Sequence, residues 1–272
     1  MTVEIIVSRG RVGDRTPGAI AGAELTAAAI SGRLGAPAHE VGSPTPPARD
    51  DWSESLPQAR EHLVELGERV DGAIGRGNLP LLVTNTCSAS LASLPVMARR
   101  HPEAILLWVD AHGDFNTPET TASGYLGGMV LAAACGLWES GHGAGLDPRD
   151  IALIGARDVD PPEAELIRRH GVELIPPGEA DPARIAELCG DRPVWIHIDW
   201  DVLEPGFVPA GYRVPGGLVP REIARLLAGL DPDRIVGLEL AEFEASGEAG
   251  RDQEAIASIL EAVGELLDGL SQ

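Results

Sequence analysis

The sequence predicts an α/β protein, a mostly parallel sheet sandwiched between helices, in one domain spanning residues 1–272. Two observations carry that expectation. Short runs rich in Ile, Leu and Val recur without polar alternation, the pattern of strands buried on both faces. Longer stretches with helical periodicity stand between them, which is the βαβ order of a parallel sheet covered by helices.

In chain order, residues 3–7 open as a strand and residues 19–34 follow with helical spacing. Residues 35–51 are rich in Pro and small residues and end acidic, which reads as a long surface loop. A helix over 56–74 leads to a strand over 81–84, and the next strand is 105–109. Further strands are expected at 151–154, 172–175, 194–198 and 235–240. Helices are expected at 164–170, 220–230 and 254–267. No internal repeat and no linker-like stretch divides the chain.

Composition narrows the function classes. A chain of this length buries a substantial core, and 44% hydrophobic content speaks against disorder. The formal net charge of −21 argues against a nucleic-acid partner, because phosphate binding needs a basic surface. Cys87, Cys135 and Cys189 form no disulfide framework. The first residues lack a charged segment leading into an apolar core, so no signal peptide is expected. No run approaches ~20 apolar residues, so no membrane span is expected. A cytoplasmic location is the default expectation.

The chemistry sits where open parallel sheets hold their ligands, beyond the carboxyl ends of the strands. After the strand at 105–109 comes DAHGDFN (110–116), with Asp110, His112 and Asp114 alternating. After the strand at 194–198 comes Asp199-Trp-Asp201. Five oxygen and imidazole ligands on two strand ends suffice for a two-metal site, and such a set suits Mn, Mg or Fe better than a thiolate-type zinc site. Asp160 follows a third apolar run, and Glu239 and Glu242 lie at the end of the last. All could face one crevice, so the chain reads as a metal-dependent hydrolase.

These motifs are long enough to be specific. The run DAHGDFNTPETTASG (110–124) resembles the central signature of the ureohydrolase family, the arginases and agmatinases. HIDWDVLEP (197–205) is similar to that family's second metal motif, and GARDVD (155–160) and GGL (216–218) match in order. The resemblance covers about residues 79–242. It implies a three-layer α/β/α sandwich around an eight-stranded parallel sheet. It also implies hydrolysis of a guanidinium carbon by a hydroxide bridging two Mn²⁺ ions. On this resemblance Asp110 and Asp199 would bridge both metals, Asp114 would bind the first, and His112 and Asp201 would complete the second. Asp114 would also hydrogen-bond the nucleophile and shuttle its proton to the departing amine. Glu242 would orient the guanidinium, whose N–H fork suits a carboxylate. Asn116 and Ser123 would hold an α-carboxylate, and Asp160 and Glu163 the α-amino group, directly or through water. Family members are commonly trimers or hexamers, so a homo-oligomer is an expectation of the resemblance.

The sequence departs from the family pattern at two positions. TNTCS (84–88) places Cys87 where the family has the histidine of GGDHS. Cys87 is then either a small buried cysteine or a thiolate ligand, softer than imidazole, that weakens the first metal or changes its preference. GYLGG (124–128) places Gly127 where arginases have the histidine of GNLHG. Its absence is expected to open space and remove an acid–base group. His142 would be a substitute, although a loop histidine exposed to solvent is the expected reading. The 209–213 loop also lacks the family's threonines.

These departures point away from L-arginine and towards a modified guanidine. TNTCS, GYLGG and HIDWD together resemble the hydroxyarginine-cleaving members of the family that serve antibiotic (D-cycloserine) biosynthesis. The expected reaction is Nω-hydroxy-L-arginine to hydroxyurea and L-ornithine. Asn116, Ser123 and Asp160 favour an α-amino acid over a decarboxylated amine. The alternatives are an arginase, agmatinase or formimidoyl-amino-acid hydrolase, or a non-catalytic homologue that binds a ligand.

Overall fold

The computed structural model describes residues 2–271. Among them, eight strands form one sheet: β1 (Val3–Ser8), β2 (Ala38–Val41), β3 (Leu79–Val83), β4 (Ile105–Val109), β5 (Ile151–Ile154), β6 (Glu173–Ile175), β7 (Val194–Asp199) and β8 (Ile235–Ala241). Their order is β2-β1-β3-β8-β7-β4-β5-β6, with every pairing parallel. The seven strands expected from apolar runs are all present, and the expected parallel α/β/α architecture is observed.

The eighth strand corrects the reading of residues 35–51 as loop throughout. β2 is a four-residue edge strand, Ala-His-Glu-Val, in which only Val41 is buried, so it carries no continuous apolar run. Its pairing is supplied by β1, whose Ile5 sits opposite Ala38.

Helices cover both faces. α1 (Gly18–Leu34), α6 (Pro182–Cys189), α7 (Pro220–Ala228) and α8 (Ala249–Leu270) pack on one side, against Val7, Leu81, Leu107 and Ile196. α2 (Trp52–Gly75), α3 (Ser90–Arg100), α4 (Val130–Ala134) and α5 (Pro161–His170) cover the other, against Ile6, Leu82, Trp108 and Trp195. α3 was not legible in the sequence, because its first eight residues are buried whatever their polarity, so no polar stripe alternates with an apolar one. α4 and α6 are simply short. Among the described residues no helix is long and apolar enough to cross a membrane.

The topology brings four strands together at the centre, β3, β8, β7 and β4. They arrive from distant parts of the sequence, yet their carboxyl ends lie side by side. The candidate site is built there.

Candidate metal centre

Each central strand delivers one part of the site. Cys87 begins a short 3₁₀ turn after β3, Asp110 directly follows β4, Asp199 ends β7, and Glu242 follows β8. The strand ends aim these side chains at one point, and candidate ligand atoms fall into compact groups. Cys87, Asp110 and Asp114 form one group, and Asp110, His112 and Asp201 form a second, with ligand atoms within 4.8 Å of one another. Asp110 belongs to both groups, as a carboxylate between two ions would. Asp199 falls in a third group with Cys87 and Glu242. Its Oδ1 accepts from Asp201 N at 2.8 Å, and its Oδ2 lies 3.2 Å from Cys87 Sγ. His112 Nδ1 lies 3.1 Å from Asp201 and 3.3 Å from Asp110.

The electrostatics call for a cation. Asp110, Asp114, Asp199, Asp201 and Glu242 are all buried. Burial and the neighbouring carboxylates push Asp199 and Asp114 well above the ordinary range. Burial pushes Glu242 up to about 8. Burial opposes ionisation of Asp110 too, but His112 outweighs it and holds that carboxyl at about 2. The Cys87 thiol is raised by burial and by Asp199 and Asp114. Buried carboxylates in such number are costly unless paired or metal-bound. Asp114 Oδ2 is buried without a hydrogen-bond partner. The donor set therefore fits a pair of divalent ions, with oxygen ligands predominating.

Backbone strain marks the same place. Among the described residues, Asp114 (φ 48°) and Glu242 (φ 66°) are the two non-glycine residues with left-handed backbones. Each such residue costs ~1–3 kcal/mol and persists only where its surroundings enforce it. Here the enforcement is visible. Leu131 N donates to the carbonyl of Asp114 at 2.9 Å, and Cys87 N donates to Glu242 Oε1 at 2.9 Å.

A buried polar row lies beneath the candidate ligands. The strand register sets Trp108, His197 and Glu239 side by side across β4, β7 and β8. His197 stacks on the Trp108 indole, with centroids 3.6 Å apart and planes at 4°. Its Nδ1 lies 2.8 Å from Glu239 Oε2, and its Nε2 lies 3.2 Å from Cys87 Sγ. Glu239 also accepts from Ser90, Ser93 and Trp195 Nε1. The expectation that Glu239 faces the crevice is thus corrected: it lies at 0% exposure and supports Cys87 through His197. Sequence reading missed this row because residues on three strands become neighbours only through register.

A cavity of about 180 Å³ opens over the cluster, lined by Asn116, Ser123, Asp160 and Glu163 as well as the candidate ligands Cys87, His112, Asp114, Asp199 and Asp201. Asn116 is buried and its Oδ1 has no partner. Ser123 and Asp160 are exposed at the rim. Glu163 is buried, pushed up to about 7 by burial, and accepts from Phe115 N at 2.8 Å. That bond also braces the loop carrying Asp114. His142 is not among the residues lining this cavity, so it does not stand in for a histidine at 127.

Gly127 requires a correction. The space above it is not open, because a Cβ there would lie 2.4 Å from the ring of Tyr125. Tyr125 fills that space and donates its hydroxyl to Glu242 Oε1 at 2.9 Å. Tyr212, from the 209–213 loop, closes the other side, with its ring 5.1 Å from His112 and 6.0 Å from Tyr125. Arg157 ties the segment after Tyr212 to the turn carrying Asp201, donating to the carbonyls of Asp201 and Val214. Neither tyrosine was singled out in the sequence, although Tyr125 stood inside a motif that was.

Comparison with known proteins agrees with this geometry. The arginase family model matches residues 27–264. A Streptomyces lavendulae protein named N(omega)-hydroxy-L-arginine amidinohydrolase is 54% identical over 98% of this chain and 97% of its own length. The arginase of Bacillus caldovelox is 32% identical over 64% of this chain and 63% of its own. The crystal structure of arginase from Bacillus cereus superposes with a TM-score of 0.82 at 25% identity, covering 98% of each chain. The family model spans most of the chain, and the fold and near-full-length relative agree with it, so this chain belongs to the arginase family of amidinohydrolases.

Proposed function

We propose that this chain hydrolyses the hydroxyguanidino group of Nω-hydroxy-L-arginine to hydroxyurea and L-ornithine, with two Mn²⁺ ions as cofactor. The observation that carries the reading is the 54% identity, over almost the full length of both chains, to an enzyme named for that substrate. Cys87 and Gly127, at the two positions where the family pattern has histidine, point the same way.

Asp110, His112, Asp114, Asp199, Asp201 and Cys87 would hold the metal ions, which, when bound, supply a water of lowered pKa as nucleophile. Glu242 receives the cationic head of the substrate. Both hydrogen bonds made to it fall on Oε1, which leaves Oε2 for a guest N–H. Asn116 and Ser123 take the α-carboxylate, and Asp160 and Glu163 take the α-ammonium group. Asp114 accepts the proton of the attacking water and passes it to the departing δ-nitrogen as the carbon–nitrogen bond breaks. The water oxygen remains on the carbon as the carbonyl of hydroxyurea, and the freed amine is that of L-ornithine.

Steady-state assays of Mn-reconstituted protein test this. A specificity constant for Nω-hydroxy-L-arginine at least about 100-fold above that for L-arginine is expected, a modest demand beside the ~10⁴-fold that recognition of a substrate hydroxyl can supply. A higher constant for L-arginine overturns the reading. Less than one Mn per chain after reconstitution would instead favour a ligand-binding homologue.

A further inference from the structure

The guanidino end of the cavity is closed by Tyr125, a residue to which the mechanism above gives no role. Three observations converge on it. Its hydroxyl donates to Glu242 Oε1 at 2.9 Å. Its ring occupies the volume that any side chain at position 127 would need, 2.4 Å from the Cβ that a residue there would carry. Arg15 clamps the ring, with its guanidinium carbon 4.6 Å from the centroid. Arg15 also reaches the Tyr212 hydroxyl and the Ser123 carbonyl, both at 3.3 Å.

Tyr125 is also a partition. Tyr125, Tyr212 and Glu242 line the cavity over the ligand cluster and also a second cavity of about 190 Å³ that reaches Arg15, Arg49 and Glu244. The phenol therefore sets the depth of the pocket at the end where the hydroxyguanidine head would lie.

We propose that Tyr125 is the specificity-determining positioning residue of this site, its hydroxyl fixing Glu242 for the hydroxyguanidinium head and its ring, admitted by Gly127, setting the pocket wall. This rests on the hydroxyarginine reading above. Tyr at 125 and a side chain at 127 exclude each other sterically, so the two positions form one unit. In the family run GNLHG the same two positions hold Asn and His, a pair without this conflict.

Variants of the Mn-reconstituted protein test the proposal: Tyr125→Phe, alone and in a Glu242→Gln background, Gly127→His, and the double variant Tyr125→Asn/Gly127→His. Tyr125→Phe is expected to keep its Tm and Mn content. It should lose about tenfold or more in kcat/KM for Nω-hydroxy-L-arginine, the scale of one hydrogen bond to a charged group. In a Glu242→Gln background the same change should cost less than about twofold, because the hydroxyl acts through that carboxylate. Gly127→His should lower Tm, and adding Tyr125→Asn should restore it. Tyr125→Phe within twofold of the parent, or an equal loss in both backgrounds, overturns the positioning role. An unchanged Tm for Gly127→His overturns the steric coupling. If the parent does not turn over Nω-hydroxy-L-arginine, the functional reading fails, while the Tm series still decides whether Tyr125 and Gly127 are one unit.

Discussion

Cys87 illustrates how one residue's meaning depends on its surroundings. In the sequence it is a cysteine in place of a histidine. In the fold it is a buried thiol 3.2 Å from both His197 Nε2 and Asp199 Oδ2. An imidazole therefore stands directly behind the thiol, supplied by β7 and held flat on Trp108. A second imidazole at 87 would be driven into it. Cys87→His is accordingly expected to destabilise the protein by ~1–3 kcal/mol through overpacking, read as a lower urea midpoint at unchanged m-value. Cys87→His/His197→Ser should recover most of that loss. A single variant as stable as the parent would show that the slot has room. Asp114 and Glu242 carry the second residue-scale lesson. Their left-handed backbones are invisible in sequence, where both read as ordinary carboxylates of a motif.

At the scale of elements, β8 places two glutamates three residues apart in different environments. Glu239 faces the α2–α5 side of the sheet, where it is shared by His197, Ser90, Ser93 and Trp195. Burial works against its ionisation, but the bonds from His197 and the two serines outweigh it and hold the carboxyl below its ordinary range. Glu242 leaves the end of the same strand on a left-handed turn and enters the cavity. Glu239→Ala removes both carboxylate oxygens and leaves several buried donors without a partner. A loss of ~3–5 kcal/mol is expected from chemical denaturation, with Glu239→Gln well below that. Equal losses for the two variants would locate the effect in volume and not in hydrogen bonding. The same strand shows this register logic in apolar form against β7. Gly237 has no side chain because the Trp195 indole of β7 lies 2.3 Å from where its Cβ would be.

At the scale of the molecule, the sheet is held at its β1–β2 edge by a histidine whose partner Ser8 donates in turn to Asn85, two residues before Cys87. His62 on α2 is wedged between Gly10 and Gly42, and its Nε2 lies 2.8 Å from Ser8 Oγ. Burial lowers its pKa from 6.5 to about 4. The unfolded chain therefore binds this proton at higher pH than the folded one. The contribution is complete above pH 6.5 and is lost as pH falls towards 4, by about 2 kcal/mol in all after allowing for partial exposure. His62→Gln should flatten the decline of Tm across that window, and an unchanged slope would assign the acid loss to other groups. The sequence by itself determined seven of the strands, the parallel character of the sheet and the carboxylates at strand ends, because those depend on local apolar runs and on motifs contiguous in the chain. It did not determine β2, whose strand character exists only by pairing with β1, nor α3, whose first turns are buried whatever their polarity. Only tertiary structure decided that His197 and Glu239 stand beneath Cys87, and that Tyr125 fills the space above Gly127. Those contacts join residues brought together by strand register and loop closure, and no local pattern encodes a neighbour that arrives from another strand.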